Sequence, residues 1–176
     1  MTGAAVRRVR LHEWREVRDL RIRAVGDPAA AIAFLTTREQ ELARDDAHWQ
    51  SRTADSALGL NAAQFVAIAG EQWVGSATVL VREPGTTDVF GREVPAPRAE
   101  LVGVFVDADH RGQGVLDALV AEASAWAEAV GANGLTLDVH IDNARAQAAY
   151  RRLGFSATGL ALDTEVGREI QMHRPG

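Results

Sequence analysis

The sequence predicts an α+β (mixed α/β) fold: a sheet that is antiparallel at its start and carries one parallel β-α-β crossover in its middle. Three observations predict it. Glu100–Val106 is a β-rich, mostly apolar run, followed by the glycine-bearing stretch Asp107 to Gly114 and then by Leu116, Leu119, Val120, Ala123, Ala127 and Val130 at helical spacing. Leu135–His140 is a second β-rich run reached through that helix, and a strand–helix–strand unit brings its second strand back parallel to the first. Gln64–Ala69 and Trp73–Val81 are joined by Gly70-Glu71-Gln72 alone, a connection short enough only for an antiparallel hairpin.

The remaining elements follow in order. Val6–Leu11 alternates apolar and basic residues, as a first strand with one exposed face does. Trp14, Val17, Leu20, Ile22 and Val25 mark a helix stopped near Gly26-Asp27-Pro28. A second helical region spans roughly Ile32 to Ala57, with Thr36 or Thr37 as N-cap and Glu39 and Gln40 completing a capping box. Leu42 and Trp49 share one side of it, and Arg38, Glu39, Glu41, Arg44, Asp45 and Asp46 form a polar side, read either as a solvated face or as the wall of a cleft. Glu83 to Pro97, with its prolines and glycines, is a loop. Gly131 to Gly134 ends the long helix, Asp142 or Asn143 caps a helix from Ala144 to Leu153, and Gly154 ends it. Phe155 to Ala161 and Glu165 to Met172 are two closing strands.

Composition bounds the chemistry. With 176 residues, no internal repeat and no linker, the expectation is a single domain over 1–176. A net charge of −5 argues against nucleic acid as a partner. The absence of Cys removes disulfides, a thiolate nucleophile and cysteine-based metal sites, and His12, His48, His110 and His173 share no ligand spacing, so no metal is expected. The first eight residues lack an apolar leader and no run approaches membrane-spanning length, which predicts a cytoplasmic protein without membrane association.

The stretch from Arg111 to Asp117 carries the first functional signal. A loop that delivers free backbone N–H groups and the positive end of a helix dipole to one point is an anion site suited to phosphate. Neither familiar glycine fingerprint fits: the third glycine of a dinucleotide-binding loop falls on Asp117, and a P-loop needs a Lys where this chain has none. An ordinary β-to-α turn remains the alternative. The second signal is Asn143 and Tyr150, two helical turns apart and therefore on one helix face.

Together these segments resemble the GCN5-related N-acetyltransferase (GNAT) superfamily. Its Q/R-x-x-G-x-G/A acyl-CoA loop is matched by Arg111-Gly112-Gln113-Gly114-Val115-Leu116, with Leu116 where the family has a small residue. Its second block is matched by Leu135-Thr136-Leu137-Asp138-Val139, Asn143, Ala146, Tyr150, Gly154 and Phe155. The resemblance covers about Glu100 to Phe155 and implies a GNAT-like fold: about seven strands, a splayed parallel pair in the middle and four flanking helices. It implies one acyl-CoA N-acyltransferase domain that moves an acetyl group from acetyl-CoA to an amine by direct attack in a ternary complex.

Residue by residue, the resemblance implies the following. The backbone of Val104, Phe105 and Val106 binds the pantetheine arm and polarises the thioester carbonyl. The N–H groups of Gly112, Gln113, Gly114, Val115, Leu116 and Asp117, after Arg111, hold the pyrophosphate. Asn143 contacts the coenzyme arm or simply caps its helix. Tyr150 is the general acid toward the leaving thiolate, or a packed aromatic. Glu100 is a general base, or a carboxylate paired with Arg98. Asp138 and His140 alternate onto one strand face, and Arg145, Arg151 and Arg152 lie near the cofactor side. The expected acceptor is a small-molecule primary amine (an amino acid derivative, polyamine or antibiotic), with a protein N-terminus or lysine as one alternative and an acyl-CoA-sensing module without turnover as another. The residues do not specify an oligomeric state; dimers are common in the family, so the resemblance leaves a homodimer open.

Overall fold

The computed structural model describes residues 3–176; Met1 and Thr2, part of the expected 1–176 domain and of the N-terminal stretch, lie outside the described residues. The elements run β1 (Ala5–Arg8), α1 (Trp14–Val25), a 3-10 turn (Ala30–Ile32), α2 (Arg38–Leu42), α3 (Asp46–Leu58), β2 (Ala62–Ala69), β3 (Gln72–Arg82), β4 (Arg98–Val106), a 3-10 turn (Ala108–His110), α4 (Val115–Ala129), β5 (Leu135–His140), α5 (Ala144–Arg152), β6 (Ser156–Thr164) and β7 (Gly167–Arg174). They form one seven-stranded sheet in the order β1-β2-β3-β4-β5-β7-β6. Every pairing is antiparallel except β4 with β5, as the crossover through α4 requires.

The sheet is covered on both faces. On one, Val115, Leu119, Val120, Ala123 and Ala127 of α4 pack on Ala77, Val79, Leu101 and Leu137, with Tyr150 and Phe155 joining from α5 and its end. On the other, Trp14, Val17 and Leu20 of α1 and Trp49 of α3 pack on Val66 and Phe105. Two faces buried at once explain why β2 to β5 read as near-continuous apolar runs.

The expected helix from Ile32 to Ala57 is two α-helices, α2 and α3, so the described residues hold five α-helices rather than four. Two competing N-caps divide it. Thr37 and Gln40 form a capping box at the start of α2, and the Asp45 carboxylate accepts the His48 N–H at 2.8 Å to start α3. The break also changes which side chains share a face: Trp49 is fully buried whereas Leu42 is 52% exposed. The polar side is divided as well, because Glu41 is 1% exposed.

One irregularity shapes the site. Thr78 pairs with Val102 and Ser76 with Phe105, so β4 carries an extra residue against β3. Gly103 sits in this bulge with φ +59°, a conformation that costs a residue with a Cβ about 1–2 kcal/mol. The bulge bends β4 away from its parallel neighbour.

Candidate active site

Strands β4 and β5 pair only at Glu100 and Thr136. Beyond that point they diverge, and the gap is a cleft of about 920 Å³. Val104, Phe105 and Val106 line it from β4. Past Glu100, the edge of β4 that faces β5 has no ladder partner, so its main-chain groups are available to an extended ligand. The Val106 carbonyl is the exception, since it accepts the Arg111 Nε–H at 2.9 Å.

The glycine loop opens at one end of this cleft. Gly114 is the N-cap of α4 with φ +79°, and no side chain caps the helix. The first intrahelical bond runs from the Ala118 N–H to the Gly114 carbonyl at 3.0 Å, which leaves the N–H groups of Val115, Leu116 and Asp117 directed out of the helix end. A Cβ on Gly112 or Gly114 would meet no protein atom within 4 Å, so the space above the loop is open. The glycines are required by their positive φ, and the openness leaves room for a ligand. Leu116 is partly buried against the core cluster, so its side chain does not block its own N–H. The side chains of this loop are engaged locally: Arg111 pairs with Asp27 at 2.7 Å, Gln113 donates to the Asp109 carbonyl at 2.7 Å and Asp117 pairs with Arg152 at 2.7 Å. The loop thus presents backbone.

Helix α5 closes the cleft from the other side. Asn143 lines it, and its Oδ1 accepts the Ala146 N–H at 3.2 Å, an N-cap that leaves the amide NH₂ free to donate. Two turns on, Tyr150 lines the cleft with its ring edge-to-face on Phe155, centroids 5.6 Å apart. Burial pushes the Tyr150 phenol up to about 12. Its hydroxyl makes no hydrogen bond among the described residues, which leaves the O–H free to donate.

Glu100 is buried in the cleft and accepts from the Arg98 Nη2 and, at 2.9 Å, from the Arg82 Nε. Two of its roughly four lone-pair sites remain for water or an amine. Asp138 and His140 also line the cleft, each already occupied: Asp138 receives both arms of Arg92, at 3.0 and 2.7 Å. His140 Nδ1 accepts the Asp142 N–H at 3.1 Å, and its Nε2 lies 2.9 Å from the Val166 carbonyl oxygen. Arg145 and Arg152 line the cleft, whereas Arg151 donates to Gln147 at 3.1 Å.

Arg21, Arg52 and Glu169 also line the cleft, and sequence reasoning singles out none of them individually. Glu169 enters because β7 inserts between β5 and β6, opposite His140. Burial raises its pKa, with Asp138 adding to the rise and His140 opposing it. No local motif marks these residues.

Comparison with known proteins decides the lineage. The model of the Acetyltransferase (GNAT) family matches residues 27–155. The chain belongs to this family. Among curated proteins it is 33% identical to N-acetyltransferase 8 of Homo sapiens over 76 residues, which is 43% of this chain and 34% of that protein; the chain therefore spans about a third of this relative's length. The PaiA N-acetyltransferase of Thermoplasma acidophilum in complex with coenzyme A has the same fold, with TM-score 0.71, 14% identity and coverage of 99% of this chain and 100% of that one. So has AAC(6')-Iy in complex with the bisubstrate analogue CoA-S-monomethyl-acetylneamine, with TM-score 0.69, 20% identity and coverage of 93% and 98%. The GNAT fold, with its mixed sheet and one parallel pair, is as the sequence predicts. No helix among the described residues is long and apolar enough to cross a membrane.

Proposed function

We propose that this acetyltransferase is an acetyl-CoA-dependent N-acetyltransferase that acetylates the primary amine of a small molecule by direct attack in a ternary complex. The observation that carries the reading is the juxtaposition, in one cleft, of an unpaired β4 edge and the bare first turn of α4. An unpaired strand edge suits the two amides of a pantetheine arm, and a helix N-terminus suits a pyrophosphate. The solved relatives bound to coenzyme A and to a coenzyme A bisubstrate support the same ligand.

In this reading the pyrophosphate lies on the N–H groups from Gly112 to Asp117 and the pantetheine runs along Val104 to Val106. Asn143 donates its free amide protons to the arm. A β4 N–H at the bulge polarises the thioester carbonyl as oxyanion donor. The amine nitrogen attacks that carbonyl, the C–S bond breaks, and Tyr150 gives its proton to the departing thiolate. The proton shed by the amine passes to Glu100, directly or through water held at its free lone pairs. Asp117 and Arg111 act by position: one ends the first turn, the other ties the loop to Val106 and Asp27.

The test combines calorimetry with coenzyme A and thiol-reagent detection of free coenzyme A across a panel of amines. The expected result is binding of coenzyme A and acetyl-dependent thiol release with small amines. Release only with peptides would assign a protein N-terminus or lysine as acceptor, and bound acetyl-CoA with no release would make the chain a sensor. Gly114→Ala checks the loop: relief of about 1–2 kcal/mol of left-handed strain would shift the first turn and weaken coenzyme A binding roughly tenfold. Unchanged affinity would remove the loop from the site. Glu100→Gln is expected to lower kcat by roughly 10²-fold with little change in coenzyme A affinity.

A further inference from the structure

Arg21 of α1 and Arg52 of α3 both line the cleft. Arg21 of α1, Arg44 beyond α2 and Arg52 of α3 surround Glu41, whose charge couples to all three. Glu41 accepts three hydrogen bonds, none of them from Arg52. Its Oε1 accepts the Arg21 Nε at 3.0 Å and the Thr36 hydroxyl at 2.6 Å, and its Oε2 accepts the Arg44 Nε at 2.9 Å.

Arg52 is thus a cation with no directly bonded carboxylate among the described residues. It lines the cleft, lies 5.9 Å from the centroid of the Trp49 ring, and makes no ion pair or hydrogen bond among the described residues. Burial, and then repulsion from Arg21, pull its pKa down to about 10. Desolvating a guanidinium without a partner is costly, and an anion entering the cleft would relieve that cost.

The position of this cation along the cleft distinguishes between ligands. The phosphate-binding loop follows Val106, at one end of β4. Arg21 reaches the other direction, its Nη1 lying 3.9 Å from where a Cβ on Gly103 would sit, and the chain continues from there to Glu100. Arg21 and Arg52 thus flank the end of the coenzyme track where the thioester and the amine meet. Coenzyme A carries its phosphates at the opposite end.

We infer that Arg52, with Arg21 beside it, is the anion subsite of the acceptor pocket, and that the acceptor is an amine bearing a carboxylate, of the amino acid class, rather than a polyamine. A planar guanidinium binds a carboxylate through two parallel N–H···O bonds, and a polycation would meet like charge here. This inference rests on the N-acetyltransferase reading above and names the acceptor class for it.

The experiment uses acetylated products, so it needs no turnover. The complex with coenzyme A is titrated calorimetrically with matched pairs of N-acetyl amino acids and their amides, covering small, apolar and polar side chains, and with N-acetylspermidine. At least one acid is expected to bind roughly tenfold or more tighter than its amide, the scale of a charge-assisted pair. Arg52→Gln is expected to abolish that preference, Arg52→Lys to restore part of it, and both to keep the coenzyme A affinity. Equal binding of acid and amide, tightest binding of the polyamine product, no binding of any acid, or a loss of coenzyme A affinity in R52Q would each overturn the subsite. Should R52Q fail to fold, the same comparison is read from R52K. The parent reading fails by a different result, a protein that does not bind coenzyme A at all.

Discussion

Tyr150→Phe should lower kcat roughly 10²-fold while leaving the coenzyme A affinity unchanged, the size of effect expected when one general acid is removed. The hydroxyl has no hydrogen-bond partner among the described residues, so its loss removes no hydrogen bond seen there, while the ring keeps its edge-to-face contact with Phe155. A phenol pushed up to about 12 also makes a statement about pH. It stays protonated well past neutrality, so the basic limb of the kcat profile owes nothing to Tyr150 below about pH 11. Stability gives the matching sign. The folded pKa lies above the ordinary value of 10.0, so the contribution is fully present below pH 10.0 and is lost as the pH rises toward 12. Y150F lacks that loss, and melting curves of the two proteins between pH 9 and 11.5 should diverge at the alkaline end. Equal turnover of the two would assign the acid elsewhere.

Glu41→Gln should cost about 3 kcal/mol of stability, near the lower end of the range for breaking a buried ion pair because Arg44 is partly solvated. For a chain of this length that corresponds to a fall in Tm of roughly 6–12 °C. The carboxylate is 1% exposed and joins three elements, through Arg21 on α1, Thr36 before α2 and Arg44 after it. Burial opposes its charge, but the Thr36 hydroxyl and the two guanidinium groups outweigh burial and hold the carboxyl below its ordinary 4.5. With a depressed folded pKa the contribution is present above pH 4.5 and disappears as the pH falls through the folded value. The Tm difference between wild type and E41Q should therefore shrink on acidification from pH 7 to pH 3. A pH-independent difference would mean that packing, not charge, explains the loss. Because Glu41 also fixes Arg21, E41Q should raise the acceptor KM and leave coenzyme A binding alone.

The two variants probe opposite sides of one cleft, and the sides differ in how legible they were. The proposed coenzyme side is local. Val104 to Asp117 is a continuous strand, loop and helix start, and Asn143 and Tyr150 are a single helix face, so spacing places each set together and the family resemblance joins the two. The acceptor side is assembled from distant parts of the chain. Arg21 on α1, Arg52 on α3 and Glu169 on β7 have no common motif, and each alone reads as an ordinary surface charge. Arg52 lies in the Ile32 to Ala57 region whose polar side reads either as a solvated face or as the wall of a cleft, and nothing local separates it from its solvated neighbours.

Sequence by itself determined the mixed sheet, the hairpin, the crossover and the glycine loop at Gly112 and Gly114, and narrowed two caps to Thr36 or Thr37 and to Asp142 or Asn143, of which the structure selects Thr37 and Asn143. These depend on hydrophobic period, on cap chemistry and on φ, which act within a few residues of one another. Only the tertiary structure decided that Glu41 is buried rather than solvated, that Asp138 and His140 are held by Arg92 and Val166, and that Arg52 is left facing the cleft without a partner. Those outcomes depend on which charges meet across elements, and a charge's cost or benefit is set by the partners and solvent that packing leaves it.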